Sequence, residues 1–401
     1  DLNNMLFFTL LMAIIIAGAF LVLRYAPVGW VYLIPFAWGP VIARVFYDSR
    51  TAVCLNLITV FIVSMAVPAP YMFIILQVSA GIVAVASLRD MTQRAQLAHT
   101  ALWVFLTYSV VYTAIVMILS GDMHDIDYHY YIYFLINAIL VICAYGVVYL
   151  FERTFGLVSS ITLVELTNVN SDLMHEFAEK APGTFQHSLQ VSNLATEAAK
   201  RIGAKVLLVR TGALYHDIGK MANPEYFTEN QAPGCNPLLS MPTKEAARII
   251  IAHVTDGERI ARRHHLPEVI VHFIRSHHGT SVVRYFYNTA VNQANAAKAE
   301  GKPVPEVNIA DYTYPGPKPS TKEAAILMMA DAVEARSRSL TDFSEKSVSD
   351  MVDNMIDLQV SAGQFSDTPL SFKDLEDIRA VFKERILAMN HHRIAYPDIK
   401  K

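Results

Sequence analysis

The chain has 401 residues, 53% of them hydrophobic and only 17% charged, with a mean hydropathy of +0.31. That is too apolar for an ordinary soluble protein. A formal net charge of −3 gives no reason to expect a nucleic-acid polymer as partner.

The apolar excess lies in the first part of the chain. Residues 5–23 carry no charge, nor do residues 51–88, which are long enough for two crossings at about 20 helical residues each. Residues 101–120 and 130–150 are two further spans, and 26–43 is a weaker one interrupted by Pro27, Pro35 and Pro40. Dividing 51–88 at Pro68-Ala69-Pro70 predicts six helices over residues 1–152. The runs are too long and too often repeated for a cleaved leader. Arg44 and Arg50 flank the second connection, Arg89 and Arg94 the fourth, and Arg153 follows the last span. The alternate connections hold Arg24, nothing, and the acidic GDMHDID of residues 121–127. The basic side faces the cytoplasm, so both ends of the chain are expected there, with the lipid bilayer as a partner. The chain opens on Asp1 and not on Met, so upstream sequence is expected. Cys54, Cys143 and Cys235 are far apart, which fits a reducing compartment and offers no thiolate metal site. The polar residues Asn56, Gln77 and Asn137 are few and are read as helix–helix hydrogen bonds.

Beyond the membrane region, residues 153–183 read as connector helices, the second stopped by Pro182-Gly183. Residues 184–401 are helical in pattern throughout. Leu189, Val191, Leu194, Ala195, Ala198 and Ile202 form one apolar stripe, and Ala246, Ile249, Ile250 and Val254 another. Ser320-Thr321-Lys322-Glu323 reads as a capping box opening the helix of ILMMADAVEA. No alternating strand is evident, so the fold class is all-α: a polytopic transmembrane bundle followed by an all-helical domain. Residues 285–319 stand apart. NTAVNQANAAKAEGKPVPEV is polar and weakly patterned and YPGPKPS is turn-rich, predicting an exposed loop or short helix and then a tight turn.

The candidate site starts from GALYHDIGK, where the pair His216-Asp217 closes an apolar helical run. A capped histidine beside a helix-end aspartate is the plain alternative. More such groups lie on apolar helices: His187 in TFQHSLQV, His253 in ARIIIAHVT, His277-His278 after VIVHFIRS, and Asp331 in ILMMADAVEA. Burying any one alone would cost several kcal/mol, whereas together they suit divalent cations. Decoys exist in His264-His265, His391-His392 and His272, and Asp331 can instead pair with Arg336 or Arg338. Spacing alone does not select the set.

The order H…HD…H…HH…D resembles the two-metal HD-domain phosphohydrolases. The words EKAPGTFQHSLQVSNLA, GALYHDIGKMANPEYFTENQ, HHGTSVVRYFY and YPGPKPSTKEAAILMMADAVEA resemble, more closely, the seven-transmembrane HD-domain receptors, whose characterised members are cyclic di-AMP phosphodiesterases. The likeness runs from residue 1 to about 397. Family members carry another span and a large extracellular domain upstream. Residues 285–309 look longer than the usual connection, without breaking a ligand.

The resemblance implies an HD phosphohydrolase domain over residues 184–401. One metal is expected on His187, His216, Asp217 and Asp331, the other on Asp217, His253, His277 and His278. Nitrogen and oxygen donors without thiolate suit iron or manganese, zinc also being compatible. Such a pair activates water for in-line attack on a phosphodiester and screens the phosphate charge. Asp217 and Lys220 are the expected catalytic residues, Lys220 placing its ammonium on a phosphate oxygen unless it serves only as a helix-end cation. Arg284, Tyr285 and Lys318 are the further candidates for phosphate or adenine contacts. The implied function is hydrolysis of cyclic di-AMP to linear pApA by a bacterial inner-membrane enzyme with a cytoplasmic HD domain. Homodimerisation is left open. Another cyclic dinucleotide, a guanosine alarmone or a deoxynucleotide as substrate, and a receptor that binds nucleotide without turnover, are the alternatives.

Overall fold

The computed structural model describes residues 2–88, 95–232 and 234–389. Arg89, Arg94 and the His391-His392 pair lie outside the described residues. The chain divides into two compact units, Asp1–Val164 and Glu165–Lys401.

The first unit is helical: α1 (Leu2–Tyr25), a 3₁₀ segment (Val28–Leu33), α2 (Trp38–Phe46), α3 (Ser49–Ser64), α4 (Pro70–Ser87), α5 (Ala95–Ser120) and α6 (His129–Phe155). Phe7, Phe36, Phe73, Tyr108 and Phe134 fill its interior, while Ile14, Phe61, Ile118 and Ile139 point outward. Apolar residues on both sides of a helix are what a hydrocarbon surround demands. Among the described residues five helical stretches are long and apolar enough to cross a membrane, and α3 is shorter. At 16 residues it extends about 24 Å, under the ~30 Å hydrocarbon core.

The second crossing is broken, as its prolines predict. Pro35 has no N–H to donate, and the helix stops between Leu33 and Trp38. The amide Nδ2 of Asn137 donates to Tyr32 O at 3.1 Å and Ile34 O at 2.7 Å. Trp38 Nε1 donates to Leu140 O at 2.7 Å. In α4, Gln77 Oε1 accepts from the Tyr108 hydroxyl at 2.6 Å. Asn56 of α3 lies so close to α4 that a Cβ on Gly81 would fall 2.1 Å from its amide nitrogen. Asn137 and Gln77 thus join helices by hydrogen bonds as expected, whereas the Asn56 amide nitrogen is buried without a hydrogen-bond partner.

The connecting helix α7 (Ser160–Leu166) leads to the second unit, which contains α8 (Asp172–Lys180), α9 (Pro182–Ile202), α10 (Val206–Tyr215), α11 (Thr243–Arg263), α12 (Glu268–Ser276), α13 (Arg284–Ala299), α14 (Lys322–Ser337), α15 (Glu345–Ser361) and α16 (Phe372–Met389). Pro182 sits in the first turn of α9, where its missing N–H is no loss, so it starts a helix as well as stopping α8. The apolar stripe of α9 packs with α14, which is buried on nearly all sides, and with Val348, Val352, Ile378 and Phe382 of the last two helices. Among the described residues the extended pairing is limited to the isolated bridge Val282–Thr313.

Two expectations change. The N-cap of α14 is Thr321, whose side chain accepts from Ala324 N at 3.2 Å. Glu323 does not reach back to close the box; it accepts from Lys205 N at 3.0 Å, tying α14 to the start of α10. Of the two readings of the polar stretch after Arg284, the helix is the one found, and at 16 residues, Arg284–Ala299, it is longer than expected. Phe286, Ala290 and Ala294 fall at four-residue intervals on one face, and the first two join Ala246, Ala247 and Tyr312 in a small core of their own. Alanine made the stripe hard to see among Asn and Gln.

Candidate metal centre

Five helices deliver the side chains. His187 lies in the second turn of α9, His253 in the body of α11 and Asp331 in the body of α14. His216 and His277 are the C-caps of α10 and α12, so Asp217 and His278 follow at the points where the chain leaves each helix. Asp217 opens a 3₁₀ turn over Ile218–Ala222. Gly219 lets that turn lie directly on α11. A Cβ there would fall 1.8 Å from His253 O and 2.5 Å from Gly257 N. His187, His216, Asp217, His253, His277 and Asp331 are all buried, and His278 is partly exposed.

The seven side chains converge. His187, His216, Asp217 and Asp331 form one group of donor atoms within 4.8 Å of one another, and His253, His277 and His278 form another. Asp217 stands between them. Its Oδ1 lies 3.4 Å from His253 Nε2 and 3.5 Å from His277 Nε2. Its Oδ2 lies 3.3 Å from His216 Nε2 and 3.6 Å from His187 Nε2. His187 Nε2 is also 3.0 Å from Asp331 Oδ1. Two donors each about 2.1 Å from one ion and at right angles to it stand about 3.0 Å apart, so this spacing suits coordination.

Proton placement makes the stronger case. His253 Nδ1 is 2.6 Å from Ile250 O, and His277 Nδ1 is 2.7 Å from Ile274 O. A carbonyl only accepts, so each Nδ1 carries a proton, and in the neutral ring Nε2 is then the free ligand atom. Those two Nε2 atoms face each other at 3.1 Å. Burial drives His253 down to about 3 despite the opposing Asp217 charge, so a second proton is not held there at neutral pH. The Nε2 lone pair of His253 therefore needs a positive partner, and with His277, His278 and Asp217 beside it a metal cation suits that place. His216 repeats the pattern, with Nδ1 2.7 Å from Ala213 O. Its Nε2 and Asp217 Oδ1 are buried without a hydrogen-bond partner. The donor set therefore fits divalent metal ions.

Charge is balanced locally. Burial disfavours ionised Asp217, but the Lys220 ammonium and His216 outweigh it and hold the carboxyl well below its usual range. Asp331 is held low in the same way by His187 and His216. Burial also opposes charge on His216, yet the carboxylates of Asp217 and Asp331 raise it to about 10, so its Nε2 holds a proton that a metal ion would displace on binding there.

Lys220 Nζ bridges Asp217 Oδ2 at 2.7 Å and Glu229 Oε1 at 2.9 Å, and lies 5.1 Å from the centre of the Phe227 ring. Glu229 is anchored in turn by the Thr184 hydroxyl at 3.0 Å. His187, His277, His278 and Asp331 line a cleft of about 1510 Å³, whose walls include Lys220, Arg284 and Tyr285 and a face of α15. Lys318 is not on that wall. Its ammonium donates to Gly363 O at 2.8 Å. The decoys separate as well: His264 and His265 are exposed at the end of α11, and His272 faces Ser320 Oγ at 3.3 Å. Arg338 turns to Glu334, and Arg336 to Ser339 Oγ at 3.2 Å, so neither takes up Asp331.

Three residues at the site escape a reading of the sequence. Glu334 accepts from His187 Nδ1, Tyr314 stacks on the His278 ring at 4.3 Å between centres, and Glu229 steers Lys220. Of these only Glu334 left a trace, three residues after Asp331 on the same helix face.

Comparison with known proteins is consistent with this geometry. Residues 1–159 match the model of the 7TM receptor with intracellular HD hydrolase, and residues 184–336 match that of the HD domain. The cyclic-di-AMP phosphodiesterase PgpH of Listeria monocytogenes is 34% identical over 382 residues, 92% of this chain and 51% of that protein. PgpH of Bacillus subtilis is 32% identical over 405 residues, 98% of this chain and 55% of that protein. The chain thus spans about half the length of the curated relatives it matches. The crystal structure of the L. monocytogenes PgpH HD domain in complex with cyclic-di-AMP superposes with a TM-score of 0.50 at 37% identity, over 56% of this chain and 100% of that one.

Proposed function

This chain belongs to the family of 7TM receptors with an intracellular HD hydrolase, and from that membership we propose that it is a membrane-bound, metal-dependent phosphodiesterase hydrolysing cyclic di-AMP to linear pApA. The observation that carries the reading is the approach of His253 Nε2 and His277 Nε2 to 3.1 Å, beside a carboxylate that offers one oxygen to each group of donors. On this reading His187, His216, Asp217 and Asp331 hold one ion, and Asp217, His253, His277 and His278 the other. Nitrogen and oxygen donors without thiolate favour iron or manganese. Two such ions supply an activated water and neutralise charge on the phosphodiester.

The chain's own residues do the remainder. Asp217 keeps the two groups in register. Lys220, fixed on two sides by Asp217 and Glu229, has a remaining N–H to offer a non-bridging phosphate oxygen. Arg284 and Tyr285 on the cleft wall are placed to meet the second phosphate or a base. The cleft exceeds the roughly 300–1,000 Å³ of a common small-ligand site, so it has room for a cyclic dinucleotide. The basic connections bearing Arg44, Arg50 and Arg153 support a bacterial inner-membrane protein whose HD domain is cytoplasmic.

The test is turnover by the detergent-solubilised chain, loaded with manganese or iron, against cyclic di-AMP and a panel of other cyclic dinucleotides, guanosine alarmones and deoxynucleotides. Release of pApA at the highest kcat/KM of the panel is expected. Preferred hydrolysis of another nucleotide, or tight binding of cyclic di-AMP with no product, overturns the proposal.

A further inference from the structure

The imidazoles of the centre are not all oriented alike. His216, His253 and His277 each place Nδ1 against the backbone carbonyl three residues upstream, on Ala213, Ile250 and Ile274. A carbonyl is neutral and is fixed by its own helix. His187 differs: its Nδ1 meets Oε2 of Glu334, a side chain 147 residues away that is 1% exposed. The other oxygen of that carboxylate, Oε1, accepts from Arg338 Nε and Nη2, each at 2.8 Å. A chain of three side chains therefore runs from the cleft wall, where Arg338 lies, through a buried carboxylate to a candidate ligand.

We propose that Glu334 is a positioning residue for the metal centre: it holds the proton of His187 on Nδ1, and thereby aims the Nε2 lone pair at the ion shared with Asp331 and Asp217. This rests on the metal-dependent reading above. A carboxylate that accepts from the far nitrogen of an imidazole fixes its tautomer and ring orientation and makes it a better donor. The geometry is suited to that work. Glu334 is one helical turn beyond Asp331 on α14, so one helix presents both a ligand and the group that orients its neighbour. Arg338, one further turn along, keeps the carboxylate from rotating away and offsets the charge of burying it. Glu334 reaches no substrate directly; its effect passes through His187.

The experiment compares the full chain in detergent with Glu334→Gln, an exchange that keeps size and removes charge. The readouts are bound ions per chain after dialysis, manganese affinity by calorimetry, and kcat and KM separately. The expected result is a loss of affinity of about 10–100-fold at one of two ions, a fall in kcat with KM nearly unchanged, and recovery of turnover as manganese is raised. Two ions held at parental affinity in Glu334→Gln overturn the proposal while leaving the phosphodiesterase reading intact. A parent chain that takes up no ion overturns both. Should Glu334→Gln fail to fold, Arg338→Met, on an exposed position, is expected to weaken the same ion to a smaller extent. Unchanged ion affinity in Arg338→Met then overturns the proposal.

Discussion

Asp217 offers one oxygen to each group of imidazoles, so its replacement acts on both at once. Asp217→Ala is expected to leave no bound ion and no turnover above background, while the membrane unit keeps its detergent-solubilised size and helix content. Element analysis and gel filtration check this, and two ions in the variant would refute the site. Gly219 acts by what it lacks. Its approach to the backbone of His253 and Gly257 leaves no room for a methyl group, so Gly219→Ala must pry the 3₁₀ turn off α11, at about 1–3 kcal/mol of overpacking. Because that turn carries Asp217 and α11 carries His253, activity should fall more than about tenfold, given that a 1 Å misplacement can cost ~10²-fold. Gly203→Ala is the control. It meets nothing within 4 Å and has φ of +68°, so a left-handed penalty of roughly 1–2 kcal/mol is expected with kcat unchanged. At this scale the sequence named the seven donors only through resemblance, because their spacing in the chain says nothing of convergence. Glu334, Tyr314 and Glu229 act across elements, and a single line of residues carries no mark of such contacts.

The helices themselves were more legible than their partners. Apolar stripes on α9 and α11 could be read from the sequence, as could the break at Pro35, since a missing N–H is a property of the residue itself. The choice between loop and helix at α13 could not, because beyond Phe286 its buried face is built from alanines whose burial depends on Ala246 and Ala247 of α11 being small. That face is testable. Ala290→Asp places a charge among Ala246, Ala247 and Tyr312 and should destabilise the second unit by more than about 2 kcal/mol. Gln293→Glu, on the exposed side of α13, should stay within about 0.5 kcal/mol; denaturant midpoints compare the two. Between α15 and α16, Asp353 accepts from Lys383 Nζ at 2.6 Å and Arg379 Nη1 at 3.1 Å. Burial disfavours its charge, but the two cations together outweigh it and lower its pKa. A carboxylate lowered in the folded state stabilises above its unfolded pKa and loses that contribution as the pH falls through the folded value. Solvent screens the site, so Asp353→Asn should cost at most about 1 kcal/mol at pH 7. The difference from the parent should vanish in acid, as urea titrations at several pH values would show.

Each unit has an interior of its own, and the candidate donors all belong to the second. A fragment of residues 165–401 is therefore expected to fold in water without the bundle and to bind the same number of ions as the full chain. A fragment that aggregates or binds none would mean that the centre needs the membrane unit. The bundle has its own point of vulnerability. Most of its residues are exchangeable for others of equal oiliness, since lipid and neighbour make similar contacts with them. Position 137 is one exception, because its carboxamide donates to Tyr32 O and Ile34 O where the second crossing is interrupted, and Pro35 has no N–H to offer Tyr32 O in its place. A leucine in its place would pass any hydropathy test and still strand bare backbone in oil. The substitution that looks most natural in a membrane would thus be the one most readily discarded during insertion.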